Sequence, residues 1–489
     1  MKHILLIVLS LNLLLTACTD LSVVGENPNN VSQAPPQLLL TQIASDAFQV
    51  AGKNPQYASR MIVSTAVENE IQYYKWGRGN FDDYDRLRNI TKMIEEANRT
   101  QKPAYEALGR FFRAYYFYNL TLRFGDIPYS DALKAESEAV YAPEYDLQEQ
   151  VFSGILDELQ TADQLLNADD IIEGDIIYGG DASKWKKLIN SFRLKVLITL
   201  SNKTDGSTID IVSRFADIYA NRPLMESIGD NGQLEFFDQI GSRYGEFNDS
   251  DYGSSMYMDS TFIKRLQDRE DPRLFIYAAQ TKNAREQGLA IDDFSAYEGG
   301  RPTGQYSYND DKAAAGNISK VDPRYYSNPT NEPHVLLGYP ELQFILAEAS
   351  VRGWIGASAK AHYENGIRAS FEFYNTYAEN YASFLTSQAA DTYLQNGLVS
   401  LDNAATSEQK IERIVTQKYL QSFLQGGWTP YFEHLRTGYP YFMEPSGGAP
   451  PTRWIYPQSE YQNNNANVSA AIERQFSSDN IRAVPWWLK

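Results

Sequence analysis

The sequence predicts a mostly α-helical protein, a single helical body decorated with long loops. Three observations lead there. Apolar residues recur at helical spacing in several long segments. Strand-like alternation is scarce. The intervening stretches are long and rich in Gly, Asn, Asp and Tyr. With 489 residues, 43% of them hydrophobic, the chain can bury a large core.

The first element reads as an export signal over residues 1–17. Lys2 and His3 form a positive head, Ile4 to Leu15 is apolar apart from Ser10 and Asn12, and Thr16 and Ala17 are small. The apolar run is too short to span a membrane, which takes about 20 residues. Leu15-Thr16-Ala17-Cys18 resembles a bacterial lipoprotein cleavage box, so Cys18 is expected to become the lipidated first residue. Cys18 is the chain's single cysteine. Internal disulfides, thiolate zinc sites and a catalytic thiol are thereby excluded. Residues 18–38 read as an extended arm, with Asn27-Pro28-Asn29-Asn30 and Pro35-Pro36 as helix breakers. The body is expected over 39–489.

Helices follow. Leu108, Phe111, Phe112, Tyr115, Asn119 and Leu122 form one stripe. Val151, Ile155, Leu159, Ala162 and Leu166 form a second, and Trp185, Leu188, Ile189, Phe192, Val196 and Leu200 a third. A fourth helix starts at Tyr339-Pro340-Glu341, with proline and an acid in its first turn. A fifth runs near Ala359–Tyr374. A sixth follows the capping-box pattern Thr406-Ser407-Glu408-Gln409. Tyr105-x2-Leu108-Gly109-x2-Phe112 fits the first helix of a tetratricopeptide repeat, and Ala359-x3-Tyr363-x2-Gly366 fits a second helix. Ordinary helical hairpins fit the same spacing. The long loops are Gly229–Ser255, Gly288–Asn328 and Gly438–Asn467.

Chemistry is mostly excluded. The formal charge is −18 and no Lys/Arg cluster occurs, which argues against nucleic acid. HExxH, GxxxxGK[ST] and GxSxG are absent, and His334, His362 and His434 are scattered. Gly77-Arg78-Gly79 lacks the third glycine of a dinucleotide loop. Asp249-Ser250-Asp251-Tyr252-Gly253 lacks the closing glutamate of a calcium loop and reads as a polar turn. No catalytic residue, cofactor or metal site is expected.

Several separated blocks resemble the SusD/RagB family of nutrient-binding outer-membrane lipoproteins, in its starch-binding-associated branch. They include Glu26-Asn27-Pro28-Asn29, Arg123-Phe124-Gly125-Asp126-Ile127-Pro128-Tyr129, Lys184-Trp185, Asp271-Pro272-Arg273, Glu348-Ala349 with Arg352-Gly353, Arg436-x-Gly438-Tyr439-Pro440 and Tyr456-Pro457. Their order is right from about residue 20 to the end. The resemblance implies a SusD-like α-helical domain with tetratricopeptide-like helix pairs, lipid-anchored on the outer face of the outer membrane. It implies a SusC-like TonB-dependent transporter as partner, with this chain as its lid, and an oligosaccharide or peptide as ligand. A surface glycoside hydrolase and a ligand-free scaffold are the alternatives. Asp126, Glu348 and Arg436 are expected to be structural.

Sugars are held by aromatic faces and polar donors. Two stretches supply both, Tyr73–Phe81 and Tyr297 with Arg301, Tyr306 and Tyr308. Tyr74, Trp76, Arg78 and Tyr297 are the expected ligand-binding residues. Trp428, after Gly426-Gly427, is a lesser candidate because it follows a core helix.

Overall fold

A computed structural model describes residues 34–50, 52–446 and 448–489. The signal segment 1–17, Cys18 and the arm up to residue 33 lie outside the described residues. The helical body begins at Pro36, inside the stretch expected to be arm. Its longer helices are α1 (Pro36–Phe48), α2 (Asp83–Arg99), α3 (Pro103–Phe124), α4 (Gln148–Leu165), α5 (Ala182–Thr199), α6 (Ile211–Asn221) and α7 (Ser260–Asp268). They continue with α8 (Tyr306–Ala314), α9 (Tyr339–Val351), α10 (Ala359–Tyr377), α11 (Ser407–Leu420), α12 (Thr429–Thr437) and α13 (Asn465–Gln475).

Local chemistry sets their ends. Pro103 opens α3, and its fixed φ suits the first turn. Asp181 caps α5 by accepting from the Ser183 and Lys184 amides. Thr406 and Gln409 form the expected capping box on α11. Their apolar stripes then face one another. α2 packs on α3, α3 on α4, and α9 on α10, while α5 and α11 both pack on α9. The small residues picked out by the repeat pattern explain how closely these pairs approach. A Cβ at Gly109 would lie 2.4 Å from Ile94 Cγ1 of α2. One at Gly366 would lie 2.7 Å from the Phe344 ring of α9.

Among the described residues, sheet is confined to two antiparallel pairs. β1 (Ile62–Ser64) pairs with β3 (Met256–Met258), and β2 (Gly232–Leu234) with β4 (His334–Leu337). The β2–β4 pair pins the expected 229–255 loop to the strand that leads into α9. The 288–328 stretch additionally carries α8.

Buried charge joins four helices. Arg436 on α12 donates to Glu348 of α9 at 2.7 Å through Nη2, and to Ser201 Oγ at 2.8 Å through Nη1. Lys418 of α11 lies 3.1 Å from Glu433, and Lys195 of α5 lies 3.1 Å from Glu341. Asp126 is likewise buried. It accepts from the Gln148 amide at 2.8 Å and from Arg474 Nε at 2.9 Å. The three residues expected to be structural therefore sit in buried hydrogen-bonded pairs.

Asp259 caps α7, accepting from the Thr261 amide and hydroxyl through Oδ1, while its other oxygen is buried without a partner. Burial pushes its carboxyl up to about 6, against the opposing pull of the Thr261 bonds and Arg60. A folded-state value above the unfolded one means that the native state holds the proton longer. This acid therefore costs stability as pH rises from about 4 to 6, by roughly 3 kcal/mol at most. Asp259→Asn is expected to remove that slope from urea-denaturation curves measured across pH 4–7. An unchanged slope would show that Asp259 ionises without cost.

Candidate functional site

The two stretches expected to bind ligand do come together. Gln72 Nε2 donates to the Pro302 carbonyl at 3.1 Å, and Gln72 Oε1 accepts from the Ser64 amide at 2.8 Å. A third segment joins them. Arg60 Nε donates to the Met443 carbonyl at 3.0 Å, and its Nη1 donates to the Gln72 carbonyl. Arg60 is fully buried, and its guanidinium lies 3.9 Å from the centre of the Tyr74 ring. One cation thus staples loops 64–75 and 441–446. The Gln72–Pro302 bond ties the 300–305 loop to them. Arg60 and Tyr74 both hold left-handed backbone, with φ of 60° and 56°. Non-glycine residues adopt that conformation at a cost, and such positions gather at functional sites.

The rings named from sequence face inward, however. Tyr74, Trp76 and Tyr297 are 0%, 3% and 1% exposed. Tyr74 donates to the Ala58 carbonyl at 3.0 Å, and Tyr297 to the Ile291 carbonyl at 2.7 Å. Trp76 stacks on Trp454, with ring centres 5.1 Å apart, and meets Trp428 and Tyr431 edge-on. None offers an open face to a ligand, against the expectation that all three touch one; each is engaged with the protein itself. The physical reason is long-range cover. Segments 428–431 and 453–456 close over Trp76, and Phe275 packs on Tyr297. Arg78 is exposed but turned aside. It donates to the Tyr456 carbonyl at 2.7 Å and lies over the Tyr461 ring.

Other aromatics of the same loops are accessible. Tyr306, Tyr308 and Tyr441 are 38%, 56% and 67% exposed, and Arg301 is exposed beside them in sequence. Asn309 fixes this turn, because its side chain accepts from the Arg301 amide and donates to the Arg301 carbonyl, both at 2.8 Å. Tyr306 and Tyr308 belong to the second predicted stretch. Tyr441 had no signal in the sequence beyond its place in a long loop. The surface is rich in donors and flat rings, which suits a polyhydroxylated ligand.

The polar turn at Asp249–Gly253 is also explained. Lys53 Nζ lies 2.6 Å from both Asp249 and Asp251, so a protein cation meets their charge. His434 is buried, makes a 2.9 Å contact with the Pro440 carbonyl through Nδ1, and is pushed down to about 4 by burial. Among the described residues no group of three His, Cys, Asp or Glu side chains is placed to hold a metal ion. Among them, too, no helix is long and apolar enough to cross a membrane.

This mostly helical body is shared by a class of outer-membrane nutrient-binding proteins. Residues 28–457 match the SusD-like family described as starch-binding and associating with the outer membrane. A SusD homologue from Bacteroides fragilis is 53% identical, with a TM-score of 0.90 over 94% of this chain and 100% of that one. A Bacteroides vulgatus protein, whose description ties it to the outer membrane and nutrient binding, is also 53% identical, with a TM-score of 0.90 over 93% and 100%. A chitin-binding protein is 26% identical, with a TM-score of 0.75 over 93% and 100%. No functionally curated protein matches the chain. The chain belongs to the SusD-like family.

Proposed function

We propose that this protein captures an oligosaccharide at the cell surface and passes it to a SusC-like TonB-dependent transporter, acting as the transporter's lid and held to the outer membrane by lipid on Cys18. One observation carries the ligand site. Three loops far apart in sequence converge on buried Arg60 and leave Tyr306, Tyr308 and Tyr441 accessible together with Arg301. Tyr74, Trp76 and Tyr297 hold that face from beneath, and Arg78 braces the adjoining 455–461 segment. The family membership and the chitin-binding relative support a glycan. The tyrosines supply stacking surfaces, and Arg301 supplies donors to hydroxyls.

Burying one aromatic side chain against a ligand is worth about 1.5–3 kcal/mol, or roughly ten- to a hundredfold in affinity. Tyr308→Ala is therefore expected to weaken binding of the recognised glycan at least tenfold while leaving the melting temperature unchanged, because the ring is mostly in solvent. Affinity electrophoresis against a polysaccharide panel measures it, and unchanged retardation would overturn the placement. Incubation with the same panel is expected to release no new reducing ends; turnover would favour the hydrolase alternative.

A further inference from the structure

The sequence contains three Asn-Gly pairs, Asn231-Gly232, Asn365-Gly366 and Asn396-Gly397. Such a pair has a chemistry of its own. The backbone nitrogen of the glycine can attack the side-chain carboxamide carbon of the asparagine before it. Glycine has no Cβ to obstruct that approach, and it has the widest choice of backbone angles in which to make it. The attack still needs a nitrogen that no other structure holds, and here the three pairs differ.

Two pairs are locked. Asn231 is buried, accepts from the Tyr339 amide at 2.8 Å through Oδ1, and reaches Gln233 Oε1 at 3.2 Å through Nδ2. Gly232 stands in β2 opposite Leu337, and a Cβ on it would lie 2.9 Å from Leu188. Asn365-Gly366 lies inside α10. There the amide belongs to the helical hydrogen-bond ladder, and Gly366 is pressed against the Phe344 ring.

Asn396-Gly397 is open. It lies in the turn between the short helix Ser387–Tyr393 and the helical turn Leu401–Asn403. Gly397 is exposed, and a Cβ built on it would meet nothing within 4 Å. Among the described residues, neither the Gly397 amide nor Asn396 Nδ2 donates a hydrogen bond. Asn396 Oδ1 accepts from the Leu398 amide at 2.9 Å. That bond folds the carboxamide back over the Gly397 nitrogen, which lies between its two ends, and draws electron density from the carbon to be attacked. The Val399 and Ser400 amides both donate to the Asn396 carbonyl at 2.9 Å, so the turn is held in this form.

We propose that Asn396 is a site of spontaneous deamidation and isomerisation. The Gly397 nitrogen bonds to Asn396 Cγ, the Cγ–Nδ2 bond breaks, and ammonia leaves with the proton of the Gly397 amide. The cyclic imide then takes up one water. It opens at one carbonyl to aspartate and at the other to isoaspartate. Either product carries one more negative charge than asparagine. In isoaspartate the former backbone carbonyl becomes the carboxylate and the chain gains one atom, so the turn closed by Val399 and Ser400 no longer has its length.

The test holds the purified full-length chain at mildly alkaline pH, beside a second sample unfolded in urea. Peptide mapping by mass spectrometry follows each asparagine, and isoaspartyl methyltransferase labelling counts isoaspartate. In urea all three pairs are expected to convert at similar rates. In the folded chain Asn396 is expected to convert about tenfold faster, or more, than Asn231 and Asn365, because only its glycine keeps its freedom. Gly397→Ala fits the open space and is expected to slow conversion about tenfold or more while leaving the melting temperature unchanged. Hydrogen exchange in the converted protein is expected to rise over residues 394–403, with α10 and α11 still protected. The proposal is overturned if Asn396 keeps its amide in the folded chain while the unfolded chain loses it. It is equally overturned if Asn231 or Asn365 converts as fast in the folded chain, or if Gly397→Ala converts at the rate of the wild type.

Discussion

Arg436→Met is expected to lower the stability of the folded chain at pH 7 by about 3–5 kcal/mol, the range for breaking a buried ion pair from one side. The guanidinium lies between two carboxylates, Glu348 and Glu433, and all three groups are buried. Burial alone would raise the Glu433 carboxyl; Arg436 and Lys418 overcome that and hold it at about 2. A depressed carboxylate contributes stability that is present above its unfolded value, near 4.3, and fades as pH falls toward 2. Methionine at 436 would leave Glu348 and Glu433 facing each other, with Arg352 and Lys418 at their outer sides. One carboxyl then takes up a proton more readily than before. Urea denaturation of the variant should show a deficit at pH 7 that narrows toward pH 5. Glu348→Gln added to Arg436→Met should recover part of the loss, because one uncompensated charge is gone. A single variant within 1 kcal/mol of the wild type would mean that water reaches the network.

The same network shows which features the sequence made readable. Glu348 and Arg436 stood out within separate blocks and were expected to be structural; the structure buries both and pairs them. Their pairing across 88 residues was not readable. Helices with dense apolar stripes, such as α3 and α5, were legible for a simple reason. Burying one face of a long helix forces the 3.6-residue period into the sequence. α2 was missed although Leu87, Ile90, Met93 and Ala97 mark its buried face. Its other positions are so polar that the stripe is thin. The capping box of α11 was legible because it is local chemistry.

The proposed ligand face was half legible. Glycine beside aromatics at 73–81 correctly indicated irregular backbone, and irregular backbone is usually at the surface. Here three such segments lie against one another, so the middle one is covered. Tyr74 donates to a backbone carbonyl and Trp76 stacks in a cluster completed by residues more than 350 positions away. No local pattern distinguishes a ring that covers from a ring that is covered. Trp428, read from its place after a core helix as a lesser candidate, is half-buried and lies directly before α12.

Arg60 makes the claim about the loop face most exposed to test. It combines burial, a left-handed backbone and hydrogen bonds to two loop carbonyls, those of Gln72 and Met443. Arg60→Gly separates these roles. Glycine accepts φ near 60° without strain, which by itself would stabilise by about 1 kcal/mol. It also removes the donors to both carbonyls and the cation beside Tyr74 and Asp259. A charged donor is worth about 1.5–3 kcal/mol, and an unmet buried carbonyl costs about 1–3 kcal/mol. The losses outweigh the relief, so a net destabilisation of roughly 2–4 kcal/mol is expected. Hydrogen exchange should rise in loops 64–75 and 441–446 while α3 and α9 stay protected, because the helical pairs do not depend on this residue. Glycan affinity should fall with the loop order, since stacking requires tyrosines fixed before ligand arrives. Arg60→Lys should sit between, with one ammonium unable to reach both carbonyls at once. If Arg60→Gly is instead as stable as the wild type and binds as well, the residue matters only for its backbone turn, and the three loops are organised by something other than this cation.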